Sequence, residues 1–207
     1  GADFIQGIDT EEKMIRLGQE LFQELNIKKE KYSMAVGNAL EYLENVEEGN
    51  FDTVLCLGML YYTTEPYRLL NLMLRAAKET VILDTFTAAY AAIQGKDAPQ
   101  VYGNVTEETL KLPILLTALT QSEKKDYTLP HSFDYRSKDL SLITLPSIDL
   151  LEIWFQSLNA QFTKLDWSTY KTRPCTYHDL LTPEQKKTSH WADVYTSGIR
   201  ASYLLHK

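Results

Sequence analysis

The 207 residues suffice for one α/β domain with a sizeable core and are too few for two comfortable ones. Apolar and charged fractions of 44% and 24% are those of a globular protein, and no apolar run approaches the roughly 20 residues of a membrane span. A formal charge of −7 argues against a chain-wide electrostatic grip on nucleic acid, although Lys28, Lys29 and Lys31, or Lys186 and Lys187, could form a local basic patch.

The opening GADFIQGIDT has neither the basic end nor the apolar stretch of a secretory leader, so the expected location is cytoplasmic. Cys56 and Cys175 are far apart, and Cys56 falls inside an apolar run where a thiol acts as a small hydrophobe; neither a disulfide nor a metal site is expected.

Phe4 to Ile8 reads as a short strand ending in Asp9. Thr10 with Glu11 and Glu12 has the composition of a helix start, and Met14, Leu17, Leu21 and Leu25 follow at helical spacing. Tyr32 to Val36 is a second strand, closed by Gly37, Asn38 and Ala39. The stretch the chain is organised around is Phe51 to Tyr62: an apolar run without polar alternation, then Gly58 and paired tyrosines, then a helix over Pro66 to Lys78. Such a run predicts a strand buried on both faces of a parallel sheet. Thr80 to Leu83, ending in Asp84, predicts another. Three βα units with short connections imply a doubly wound, mostly parallel sheet.

From Ala88 to Leu145 the pattern is less regular. Glu107 to Thr120 reads as helical despite Pro113, and Gln121 to Leu142 as a polar loop or lid, so 88–144 is an insertion within a single domain over 1–207. Ser147 caps a helix carrying Ile148, Leu151, Phe155 and Leu158 on one side. Phe162 to Tyr170 alternates as a strand. Thr182-Pro-Glu-Gln185 opens a helix through about Trp191. Ile199 to Leu205 is the last strand.

Ligands in such sheets bind beyond the carboxyl ends of the strands, which directs attention to Leu57, Gly58 and Tyr61, and to Asp9 and Asn38 at the ends of the two preceding strands. Asp9 is placed to accept hydrogen bonds from vicinal hydroxyls of a ribose; its other reading is a turn or capping residue. Asn38 with the Ala39 N–H could recognise an adenine edge, or simply shape a turn.

This series of strand ends, Asp9-Thr10, Asn38-Ala39 and Leu57-Gly58-Met59-Leu60-Tyr61, resembles the S-adenosylmethionine pocket of class I methyltransferases, an α/β Rossmann-like fold with a C-terminal antiparallel strand pair. The segment GMLYYTTEP is similar to the glycine, hydrophobic, Leu-Tyr-His and proline pattern of the enzymes that methylate or carboxymethylate 5-hydroxyuridine at the tRNA wobble position. Thr182 to Trp191, the Pro146-Ser147 helix and Arg200-Ala201 fit the same family. The resemblance implies methyl or carboxymethyl transfer from S-adenosylmethionine or carboxy-S-adenosylmethionine. Asp9, Thr10, Asn38, Ala39, Leu57, Gly58, Tyr61 and Arg200 would bind the cofactor, with Tyr61 and Arg200 holding the extra carboxylate of the carboxylated form. A guanidinium fork and a phenol suit that task.

Tyr61 and Tyr62 are the nearest candidates to assist deprotonation of the acceptor; His131, His178 and His190 have no supporting spacing. The implied acceptor is tRNA. A small-molecule acceptor, or a non-catalytic interaction domain of the same fold, are the alternatives.

The departures are specific. Asn38 replaces the commoner acid, Tyr62 replaces the histidine, and Ala77-Lys-Glu-Thr80 lacks the usual Pro-Gly-Gly. No glycine-rich loop on a first strand occurs in the sequence, although the family places that strand centrally. The expectation is therefore a gap in the sheet beside the site, in a fragment, in a sheet completed some other way, or beside a vestigial pocket.

Overall fold

Two parallel strands open the chain in the computed structural model, which describes residues 2–93, 107–121, 133–135, 138–167 and 193–207. β1 (Ile5–Asp9) pairs with β2 (Tyr32–Val36) from Ile5 opposite Tyr32 to Asp9 opposite Val36. Between them runs α1 (Glu12–Glu24). Thr10 does not cap it: the cap position falls on Glu11, which makes no side-chain cap, and the Asp9 carboxylate accepts the Glu11 N–H at 2.8 Å instead. An aspartate two residues ahead of a backbone donor closes such a turn without a hydroxyl. After β2 the chain enters α2 (Ala39–Glu44), where the Asn38 side-chain oxygen accepts the Leu40 N–H at 2.9 Å.

A second sheet has the order β3 (Phe51–Leu57), β4 (Ala77–Phe86), β9 (Arg200–His206), β8 (Gln161–Lys164). β3 and β4 are parallel, linked by α3 (Pro66–Ala76), whose proline begins the helix where its missing N–H is harmless. β9 runs antiparallel to both β4 and β8. This sheet is mixed, so the expected mostly parallel sheet is corrected: parallel pairing holds for the βα units, and the C-terminal pair is antiparallel throughout. β8 stops at Lys164, short of the expected Tyr170.

The core packs α3 and α6 (Ile148–Ser157) on this sheet through Leu69, Leu70, Met73, Leu151 and Phe155 against Val81, Leu83, Tyr203 and Leu205, all nearly inaccessible. Ser147 caps α6 as expected, accepting from Leu150 N–H at 3.2 Å. It also donates to the Leu112 carbonyl at 2.7 Å, tying the chain at Leu112 to the helix start. Burial pushes the Tyr203 hydroxyl far up from its ordinary range, and it donates to Glu152 at 3.0 Å.

A third, antiparallel sheet corrects the reading of 88–144 as an irregular lid. Its order is β5 (Leu115–Gln121), β7 (Lys138–Pro146), β6 (Phe133–Tyr135). The expected helix over Glu107 to Thr120 is one turn, Glu107–Leu110; Pro113 offers no N–H and constrains Leu112, and the chain then extends into β5. The buried Thr144 hydroxyl donates to the Thr63 carbonyl at 2.8 Å, fastening this sheet behind the tyrosine pair. The expected helix at Thr182 to Trp191, with His131, His178, His190 and Cys175, lies outside the described residues.

β3 is not buried on both faces. Cys56 is 2% exposed, but Leu55 and Leu57 are 61% and 60% exposed. Among the described residues β3 pairs only with β4 and β1 only with β2, and no ladder joins the two sheets.

Candidate active site

The carboxyl ends of β1, β2 and β3 meet around one crevice of about 430 Å³. It is lined by seven of the residues expected from the sequence: Asp9, Thr10, Asn38, Ala39, Leu57, Gly58 and Tyr62. Each strand delivers its last residue where the chain turns into the next helix, and that turn is what presents polar groups at an otherwise apolar rim. The Gly37 N–H donates to the Asp9 carbonyl at 2.9 Å, which extends the β1–β2 pairing up to the crevice edge.

The Asp9 carboxylate has one oxygen engaged by Glu11 N–H at 2.8 Å, an arrangement that fixes the side chain while its second oxygen retains acceptor capacity. Asn38 is both things the sequence offered: its oxygen caps α2, and the residue lines the crevice. Its side-chain amide carries the donors that an adenine ring nitrogen needs.

Gly58 makes the turn out of β3. Its φ of +73° lies in the left-handed region, and its N–H donates to the Asp84 carbonyl at 2.8 Å. A Cβ there would stand 3.5 Å from both the Arg200 Nη2 and the Tyr61 hydroxyl. Those two groups thus converge on the glycine from behind the crevice wall. Tyr61 and Arg200 do not line the crevice itself, being 8% and 6% exposed.

Arg200 has a partner that the sequence reading missed. Its Nε donates to Asp84 Oδ1 at 2.8 Å, and its Nη2 reaches the same oxygen. Ser202 donates to the other oxygen of Asp84, and the guanidinium lies over the Phe86 ring at 4.5 Å. Burial, with the Asp84 carboxylate beside it, pushes the Tyr195 hydroxyl up to about 12. The available signal was the acid ending the apolar run Val81 to Leu83, the same pattern that singled out Asp9.

Behind Gly58 the aromatic rings form a continuous wall. Tyr61 lies 4.4 Å from Tyr62 and 4.9 Å from Phe86, which is 4.4 Å from Tyr90, centroid to centroid. Tyr61 and Phe86 are buried in a small core, so these contacts are packing, and of the four rings Tyr62 is the one that lines the crevice. Cys56, directly beneath the crevice, is held neutral: burial pushes its thiol up to about 12. It is packing, not a nucleophile.

The residues fit S-adenosylmethionine at its nucleoside end. An acid for vicinal hydroxyls, an amide for the base and a glycine that brings backbone close to the ligand are the donor set the nucleoside calls for.

A methyltransferase-domain profile matches residues 2–129. The chain belongs to the methyltransferase-domain family. S-adenosylmethionine is the cofactor of this class of enzyme, and the methyltransferase domain here carries its fold. No curated protein sequence matches the chain. Among solved structures, a protein from Listeria monocytogenes assigned as an S-adenosylmethionine-dependent methyltransferase is similar over all of this chain and 81% of its own, at 12% identity and a TM-score of 0.59. An S-adenosylmethionine-dependent methyltransferase from Mesorhizobium loti is similar over all of this chain and 82% of its own, at 11% and 0.55. The [4+2]-cyclase SpnF, at 12% and 0.51, covers all of this chain with 67% of its own. Identities this low speak to fold, and the cyclase illustrates that the fold carries more than one chemistry.

Proposed function

We propose that the methyltransferase domain binds S-adenosylmethionine with Asp9 on the ribose hydroxyls, Asn38 and Ala39 on the adenine edge, and Leu57 and Gly58 beside the sulfonium arm. The observation that carries this reading is the convergence of these residues, from three consecutive strand ends, on one crevice. A sulfonium is an activated donor, so the domain's task is to place the acceptor in line and keep water away. Tyr62, on the crevice rim, and Tyr61, behind it, are the groups nearest to the acceptor's proton.

The acceptor we favour is a wobble uridine of tRNA, on the likeness of GMLYYTTEP and Arg200-Ala201 to the wobble-uridine enzymes. A small-molecule acceptor is the second reading, and the acidic balance of the chain favours it. The transferred group is a methyl in our reading. The Arg200 guanidinium already neutralises Asp84, so it offers less charge to the carboxylate of carboxy-S-adenosylmethionine than an unpaired arginine would.

Calorimetric titration of the chain with S-adenosylmethionine, adenosine and carboxy-S-adenosylmethionine tests these assignments. With contacts concentrated at the nucleoside, S-adenosylmethionine and adenosine are expected to bind within several-fold of each other, at roughly 0.1–1 mM. Absence of saturable binding by either would remove the cofactor assignment. Carboxy-S-adenosylmethionine binding 10-fold tighter than S-adenosylmethionine would replace methyl by carboxymethyl transfer.

A further inference from the structure

α2 has six residues and is about 9 Å long, and a helix this short does not hold its shape on its own. Its pose is set by what grips its two ends and its buried side. The first end is Asn38, whose side-chain oxygen accepts the Leu40 N–H at 2.9 Å and whose carbonyl accepts the Tyr42 N–H at 3.0 Å. The buried side is Leu43, which packs in the main core with Leu69 and Met73 of α3.

One residue grips the far end. Arg75, in the last turn of α3, donates from Nη2 to the carbonyls of Leu43, Glu44 and Val46, the last two at 3.0 and 3.1 Å. A helix leaves the carbonyls of its last turn short of donors, and a cation there also meets the negative end of the backbone dipoles. The Arg75 carbonyl accepts the Gly49 N–H at 2.9 Å, so the same residue holds the chain again as it leaves the helix. Among the described residues every hydrogen bond of the Arg75 side chain goes to this one stretch, and its Nε is buried with no partner. A buried donor left unmet is costly, and three converging carbonyls offset that cost.

The grip reaches the crevice through α2. Asn38 lines the crevice together with Leu57 and Gly58, but β2 delivers Asn38 whereas β3 delivers the other two. α3 is a common reference for both: it packs on β3, and through Arg75 it fixes the end of α2. With only about 9 Å between the two ends, a swing at Glu44 is carried to Asn38, and about 1 Å of misplacement in a contact group can cost about 100-fold.

We infer that Arg75 is a positioning residue of the crevice: it sets the pose of Asn38 through α2 without lining the crevice itself. What that pose does for the cofactor rests on the adenine assignment proposed above; the positioning does not.

Residual dipolar couplings of backbone N–H bonds, measured without ligand, test the positioning. Arg75→Met keeps the apolar stem and removes the donors, and Arg75→Lys restores a charged donor. In Arg75→Met the α2 couplings should depart from the parent orientation by about 6° or more, the angle that moves one end of a 9 Å helix by about 1 Å. Couplings of α3 and β4 should keep the parent fit, and Arg75→Lys should return those of α2 toward it. A lower urea midpoint with unchanged α2 couplings would make Arg75 a stabilising contact only and overturn the inference. With S-adenosylmethionine, Arg75→Met should weaken binding about 10-fold, and should add less than about 2-fold in the Asn38→Ala background, as for two residues acting as one unit. A full 10-fold loss on top of Asn38→Ala would show that Arg75 acts by another route and would overturn the inference. If Asn38→Ala leaves binding unchanged, the adenine assignment falls, and the couplings alone decide whether Arg75 sets the pose of α2.

Discussion

Asp84 and Arg200 are a buried pair whose separation is costly. Both are buried, and each is the other's charge partner. Removing one member leaves an uncompensated charge, at a cost of about 3–5 kcal/mol. Asp84→Ala should show this as a lower urea midpoint, and the Asp84→Ala/Arg200→Leu double variant should recover part of it. An Asp84→Ala protein as stable as the parent would refute the pairing. Asp9 differs in kind: it is part-buried at the crevice, and on the proposed ribose contact Asp9→Ala should weaken S-adenosylmethionine binding by about 10- to 100-fold. Its removal should cost folding stability only about 1 kcal/mol, from the Glu11 turn. Cys56 sets a pH dependence. Its folded pKa, pushed up to about 12, lies above the ordinary value of 9.0, so the unfolded chain releases this proton first. The stability it confers is complete below pH 9 and declines as pH rises from there toward 12. Cys56→Ala should flatten that part of the urea midpoint profile, and an unchanged slope would contradict the assignment.

At the scale of elements, β3 and β4 behave oppositely although they are neighbours. Leu83 in β4 is fully buried, and Leu83→Ala should cost about 2–5 kcal/mol. Leu55→Ser in β3 should change the stability of this chain by less than about 0.5 kcal/mol, as exposed substitutions do. Denaturation of the two variants distinguishes the sites directly. Sequence reading located both strands, because an apolar run between turn residues is a local signal, and it located the Ser147 cap for the same reason. It placed Leu55 and Leu57 in a buried strand because burial depends on a neighbour that the run itself does not encode. It missed β5 and β7 for a related reason. Leu115 to Gln121 alternates weakly and falls almost wholly inside the segment that reads as helical, and its strand character comes from pairing with 140–146, a partner distant in sequence. Asp9, Asn38 and Gly58 were legible because each follows a strand signal immediately. The Asp84–Arg200 pair was not, since 116 residues separate its members.

For the whole molecule, strand polarity decides where chemistry can occur. Three consecutive βα units place an acid, an amide and a left-handed glycine at one rim, and the family membership gives the domain its cofactor class. The antiparallel additions do something else. β9 closes the back of the site with Arg200, and the third sheet fastens behind the tyrosines through Thr144 and Thr63. No helix among the described residues is long and apolar enough to cross a membrane. The −7 charge weakens any broad phosphate grip, so a tRNA acceptor held through few phosphate contacts predicts a shallow salt dependence.

The most direct measurement is a backbone amide chemical-shift map of the chain titrated with S-adenosylmethionine. The account predicts saturable shifts concentrated at Asp9 to Glu11, Gly37 to Leu40 and Leu57 to Tyr62, and their loss in Asp9→Ala at the same concentration. Shifts absent at saturating cofactor, or clustered instead around Asn71, Leu158 and Lys207, which line a separate cavity, would contradict it.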